Sequence, residues 1–148
     1  MIEIYKMTIY TFHTANAHQG YVNLEMEFEA KTENMEVQLP RWRPGRYELG
    51  NFAKNVKSFR VFNEEGKKVA FVKTSKDTWQ LENEAGKKLK VSNSYYADQL
   101  NAGSTCIRPD LLYVNPVNCC MYPVGQEDEV CQVILNIPSE WQVAGSFD

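Results

Sequence analysis

The chain reads as an all-β protein, an antiparallel β-sandwich with at most one short helix. Three observations carry that reading. Apolar residues recur with period two in stretch after stretch, the pattern of strands buried on one face. At least eight strand-like segments, separated by turns bearing glycine, proline or asparagine, fit into 148 residues, which is the density of a sandwich. Helical spacing is confined to one stretch, Leu49 to Val56.

Taken in order, Ile2 to Thr11 reads as a strand, and Val22, Leu24, Met26, Phe28 and Ala30 alternate with polar residues as its partner across the connection Thr14 to Gly20. Met35, Val37 and Leu39 alternate with Glu36 and Gln38 to make a third strand. Two hairpins are then expected, Ser58–Asn63 with Lys68–Lys73 and Thr78–Glu82 with Leu89–Tyr96. Their turns look alike, acids before a glycine and a lysine pair after it, so opposite charges can face each other across each hairpin. Gln99 to Asp110 reads as irregular. Leu111–Val114, Cys119–Val124 and Val130–Ile137 are three further strands, and Trp141–Ala144 is short and apolar. Antiparallel pairing is expected throughout.

Composition bounds the function. At 148 residues one domain, spanning 1–148, is expected, long enough to bury a core without staples. The formal charge of -3, with acids and bases interleaved, argues against a nucleic-acid or anionic-membrane partner, since both are held by clustered Lys and Arg. Met1 to Lys6 holds an acid and a lysine, unlike a secretion signal, and every apolar run is interrupted by polar residues. The compartment stays open between cytoplasm and export with the signal removed. Cys106, Cys119, Cys120 and Cys131 form no C-x-x-C pair and read as buried thiols, with one bridge open if Cys106 or Cys131 meets the Cys119-Cys120 pair. His13 and His18 lack helical same-face spacing and an intervening glutamate, so no metal site is expected in this chain. No serine lies in a G-x-S-x-G elbow and no glycine run suits a phosphate.

One stretch stands apart. Leu39 to Val56 packs two prolines, two glycines, three arginines, a tryptophan and a tyrosine into eighteen residues. Pro40 and Pro44 hold the chain extended, Pro44-Gly45 signals a turn, and Leu49, Phe52, Ala53 and Val56 permit a helical turn. Trp42 and Phe52 are expected to be buried there. Arg41, Arg43, Arg46 and Arg108, with Asp98, Asp110, Tyr47 and Tyr96, form the polar cluster of interest, suited to receive a peptide terminus or a neighbouring domain because guanidinium binds carboxylates bidentately. The blander account is that these groups satisfy one another and a long loop's backbone.

Leu39-Pro-Arg-Trp-Arg-Pro-Gly-Arg-Tyr, followed by Asn51-Phe-Ala-Lys-Asn-Val56, resembles a block in the N-terminal domain of the glycyl aminopeptidase family of zinc metallopeptidases. Trp79, Tyr96-Ala97-Asp98, Leu111 to Val114 and Ile137 to Ala144 occur in the order that family shows. The resemblance implies a noncatalytic β domain followed by a zinc-bearing catalytic domain with an H-E-x-x-H motif. That motif is absent here, so the chain is expected to be inactive alone and to carry no cofactor, zinc belonging to the parent's catalytic domain. Its partners would be that downstream domain and, through the parent, a peptide substrate. The residues expected at the interface or near the substrate are Arg43, Arg46, Tyr47, Glu48, Asn51 and Asp98, the two acids being able to pair with an ammonium. Two other readings stand beside this one: a carbohydrate- or peptide-binding sandwich with Trp42, Tyr47 and Trp79 as an aromatic platform, and a purely structural interaction module.

Overall fold

The computed structural model describes residues 7–43, 45–47, 49–101 and 103–146. Its strands are β1 (Met7–His13), β2 (Tyr21–Glu29), β3 (Glu36–Gln38), β4 (Val56–Asn63), β5 (Phe71–Ser75), β6 (Thr78–Leu81), β7 (Lys88–Tyr96), β8 (Cys106–Arg108), β9 (Leu111–Tyr113), β10 (Tyr122–Pro123) and β11 (Val130–Asn136). One sheet runs β11-β1-β2-β7-β4, a second β10-β3-β6-β5, and β8-β9 form a separate ribbon. The expected all-β sandwich is what the chain adopts, with pairing that is mostly antiparallel.

Alternation does the work that the sequence assigned to it. Along β2, Val22, Leu24, Met26 and Phe28 are buried while the residues between them are half-exposed. Met26, Phe28, Val61, Leu89 and Val91 of the first sheet meet Val37, Trp79 and Leu81 of the second. Phe59 stacks on Trp79 with ring centroids 4.7 Å apart. A second cluster joins Phe12, Val22, Leu24 and Tyr95 to Ala97, Ile107 and Cys119. There β8 and the helical turn α1 (Pro116–Cys119) cover the part of the large sheet that the second sheet does not share.

Several expectations need correction. The pairing is not antiparallel throughout: β11 lies parallel to β1, with Met7 opposite Val130 and His13 opposite Asn136. The chain reaches that edge by crossing from β10 in the other sheet, and a crossover, unlike a hairpin, imposes no reversal. The two look-alike hairpins are instead crossings between sheets. Around Gly66 the chain does turn back, with Lys67 O accepting from Asn63 N at 2.8 Å and Val61 O from Val69 N at 2.9 Å. After those rungs β5 leaves to pair with β6, while β4 stays on β7. Likewise β6 is paired on both sides within its own sheet, and the 83–86 turn carries the chain over to β7. Period two reports which face is buried, not which strand lies beside it. Of the expected charge pairs at the two turns, Lys67–Glu65 forms, at 3.9 Å and fully in solvent.

The 99–110 segment is less irregular than expected, since it contains β8. Cys119–Val124 yields only the two-residue β10, because Pro116 opens α1 ahead of it. The expected helical turn at 49–56 is a 3-10 turn, Phe52–Asn55, entered through Asn51 in the left-handed conformation at φ 48°. Its apolar face is shorter than expected, for Leu49 is 61% exposed. All four cysteines are free. No helix among the described residues is long and apolar enough to cross a membrane.

Candidate functional site

The 39–50 loop is pinned at both ends and open in the middle. Leu39 is fully buried, and its N–H donates to the Asp77 carbonyl at 2.9 Å. Two residues on, the Arg41 guanidinium grips the Asp77 carboxylate: Nη2 donates to Oδ1 at 3.0 Å, and Nε lies 3.0 Å from Oδ2 in ion-pair contact. Asp77 is 2% exposed, and its Oδ1 also accepts from Ser75 and Thr78 hydroxyls, so the carboxylate is held by several donors, as a buried charge requires. The loop closes where Gly50 N donates to Arg41 O at 2.7 Å.

Between these anchors Trp42, Arg46, Tyr47 and Leu49 are exposed. Trp42 is 50% exposed, contrary to the expectation of burial, and Tyr47 is fully exposed. The indole is held in another way: Trp42 Nε1 donates to Arg46 O at 2.7 Å, clasping the loop tip. Arg43 O accepts from Arg46 N at 3.2 Å. Pro44 and Glu48, the second of these a predicted site residue, lie outside the described residues. Phe52 is partly buried against the main core, which accounts for the loop's rigid exit.

The expected polar cluster divides into three. Arg41 belongs to Asp77. Arg108 belongs to Asp98, with Nη1 2.9 Å from Oδ1 and Nη2 donating to the backbone carbonyl at 3.3 Å; the Tyr96 hydroxyl donates to Asp98 Oδ2 at 3.1 Å. That bond, which the neutral phenol donates to a carboxylate, raises the Tyr96 pKa. Asp98 is thus already engaged by a guanidinium and a phenol, which removes it as a ready partner for a substrate ammonium. Asp110 is exposed at the β8-β9 turn. Arg43 and Arg46 are the third group. Neither has a side-chain hydrogen bond or ion pair among the described residues. Arg43 rests against Gly103, where any Cβ would collide with its guanidinium. Asn51, also predicted, is exposed at the start of the 3-10 turn.

Gly103 and its neighbour Asn118 were not singled out from sequence. Gly103 O accepts from Asn118 Nδ2 at 2.8 Å, so the backbone beneath Arg43 is fixed by a residue that is 2% exposed. Asp77 was missed too. Its signal was the acid in the short Ser75-Lys-Asp-Thr78 connection, where such side chains bind local backbone. The aromatic platform loses one member, since Trp79 is 3% exposed. Of the two histidines, His18 is exposed, and His13 Nδ1 lies 2.9 Å from Asn136 Nδ2. Among the described residues no three His, Cys, Asp or Glu converge to hold a metal.

Comparison with known proteins follows the same line. Residues 9–148 match the family model described as the peptidase M61 N-terminal domain. The crystal structure of an aminopeptidase N family protein from Idiomarina loihiensis superimposes with a TM-score of 0.83 at 25% identity, over 90% of this chain and 22% of that one. The chain therefore spans under a quarter of that neighbour's length. A search of curated proteins found no match.

Proposed function

This chain belongs to the peptidase M61 N-terminal domain family, and from that premise we propose that it is the noncatalytic β domain of a glycyl aminopeptidase-like zinc metallopeptidase, with the 42–47 loop docking against the catalytic domain near its substrate cleft. The observation that carries the reading is the division among the arginines. Arg41 and Arg108 are spent on internal carboxylates, whereas Arg43 and Arg46 have no side-chain partner among the described residues and lie on the same loop, pinned at both ends, as exposed Trp42 and Tyr47. Arg, Trp and Tyr are the residue types that anchor interfaces, and a preformed loop loses little entropy on docking. The matching surface on the downstream domain carries carboxylates. Chemistry and zinc lie in that downstream domain, which contributes the ligands this chain lacks. The test is to assay the 148-residue chain and the full-length parent on a glycyl chromogenic substrate, with metal analysis after dialysis. Turnover and one zinc per molecule are expected for the parent alone; both appearing in the short chain would overturn the assignment.

A second reading has one observation in its favour. Trp42 and Tyr47 are exposed, as a carbohydrate- or peptide-binding platform requires, although Trp79 is not. Saturable binding of a sugar or peptide by the chain, quenching Trp42 fluorescence and abolished by Tyr47→Ala, would favour it.

A further inference from the structure

The two sheets of the sandwich present four edges, and three of them are protected in recognisable ways. On β4 the register shifts between Lys57 and Arg60, both exposed, with Ser58 at φ 57°. On β5 it shifts between Lys73 and Ser75, again with a lysine at the edge. The strand β10 has only two residues, one of them Pro123. Bulges, edge lysines, prolines and short length are the devices that keep a sheet edge from pairing with another strand.

The fourth edge, β11, has none of them. Val130-Cys-Gln-Val-Ile-Leu-Asn136 contains no charge, no proline and no glycine, and it pairs with β1 over seven residues without a bulge. Val130 is 56%, Ile134 42% and Leu135 38% exposed; of the seven residues only Val133 is partly buried. Among the described residues no strand lies on its outer side. A long, unbulged and uncharged edge with exposed apolar residues templates strand addition.

We infer that in the parent protein the outer edge of β11 is covered by polypeptide C-terminal to this domain, through added backbone hydrogen bonds and burial of Val130, Ile134 and Leu135. Two facts select that occupant. The matching region makes up 22% of the solved neighbour's chain, and the matched family is that of an N-terminal domain, which places the further chain of such a protein downstream. The strand β11 is also the last strand among the described residues, ending a dozen residues before the C-terminal limit of the family match at 148, so a segment that follows the domain is tethered close to it in sequence. Being uncharged, β11 selects an apolar or backbone partner, unlike the arginine-bearing loop. The inference rests on the existence of a downstream domain but not on docking of that loop.

Hydrogen–deuterium exchange tests it, comparing the full-length parent with the 148-residue chain. The β11 amides that face away from β1 should exchange at least about 100-fold more slowly in the parent, the protection expected of a covered ladder. Ile134→Lys in the parent should release those amides while leaving the β1-β2 ladder protected. Rapid exchange in the parent overturns the inference. Equal protection in both proteins overturns it as well, because the cover then lies within the domain. Protection that appears only in the short chain and grows with its concentration overturns it in favour of self-association. The amides of Arg46 and Tyr47 are read in the same experiment, so failure at one surface is distinguishable from failure at the other.

Discussion

Asp77 illustrates how one buried charge can set the shape of a loop. Its carboxylate is enclosed, while Arg41, which neutralises it, is about half in solvent, with 46% of its side chain exposed. Arg41→Ala leaves the carboxylate without its cation, and the half-exposed guanidinium places the cost at about 1–3 kcal/mol, below that of breaking a fully buried pair. Urea denaturation measures it. Trp42 and Trp79 should part company in the same assay: Trp79→Ala empties core volume and costs about 3–5 kcal/mol, whereas Trp42→Ala removes a half-exposed ring and costs under about 1 kcal/mol. Tyr95 supplies a pH prediction. Burial raises its pKa to about 12, against a lowering hydrogen bond from Asn55. The fold holds the phenol's proton after the unfolded chain has lost it near pH 10. Tyr95's share of the stabilisation is therefore complete below pH 10 and falls by about 1.4 kcal/mol per unit as pH rises from 10 to 12; Tyr95→Phe should remove that share and leave the decline due to Tyr10, whose pKa burial also raises.

At the scale of elements, Gly103 joins two loops that sequence kept apart. Gly103→Ala drives a Cβ into the Arg43 guanidinium, the far end of a flexible side chain, so Arg43 swings away and the fold survives. The expected result is a melting temperature close to that of the wild type together with weaker substrate use by the parent, read as kcat/KM; a large loss of stability would show that the clash falls on backbone. The 39–56 block stood out in the sequence as a buried or interface-forming loop because its residue types are unusual. Its orientation was not legible. Trp42 looked like a core residue, but its Nε1 needed a partner and found Arg46 O at the tip, which holds the ring at the surface. The polar cluster was likewise legible as a set of residue types, while the pairings Arg41–Asp77 and Arg108–Asp98 depend on neighbours 36 and 10 positions away.

For the whole molecule, alternation made the fold class readable, since Val22 to Phe28 and Leu89 to Tyr95 bury the residues that period two marks. Sheet membership was not readable. Local turn chemistry at Gly66 and Gly86 suits a hairpin and a sheet-to-sheet crossing equally, and what decides is the core formed when Trp79 and Leu81 face Val61 and Val91. The parallel closure of β11 on β1 joins opposite ends of the chain and has no local signal. Among the described residues the molecule offers an arginine-bearing loop and an apolar sheet edge to partners. In the full-length parent, Arg46→Ala and Tyr47→Ala should each lower kcat/KM by about 10-fold or more, the range for losing a good interfacial anchor, while Glu64→Ala and Glu84→Ala in the distant turns leave it unchanged. Unaltered kinetics in both loop variants, with the circular dichroism spectrum intact, would contradict the proposed docking and leave the loop a structural feature of this domain alone.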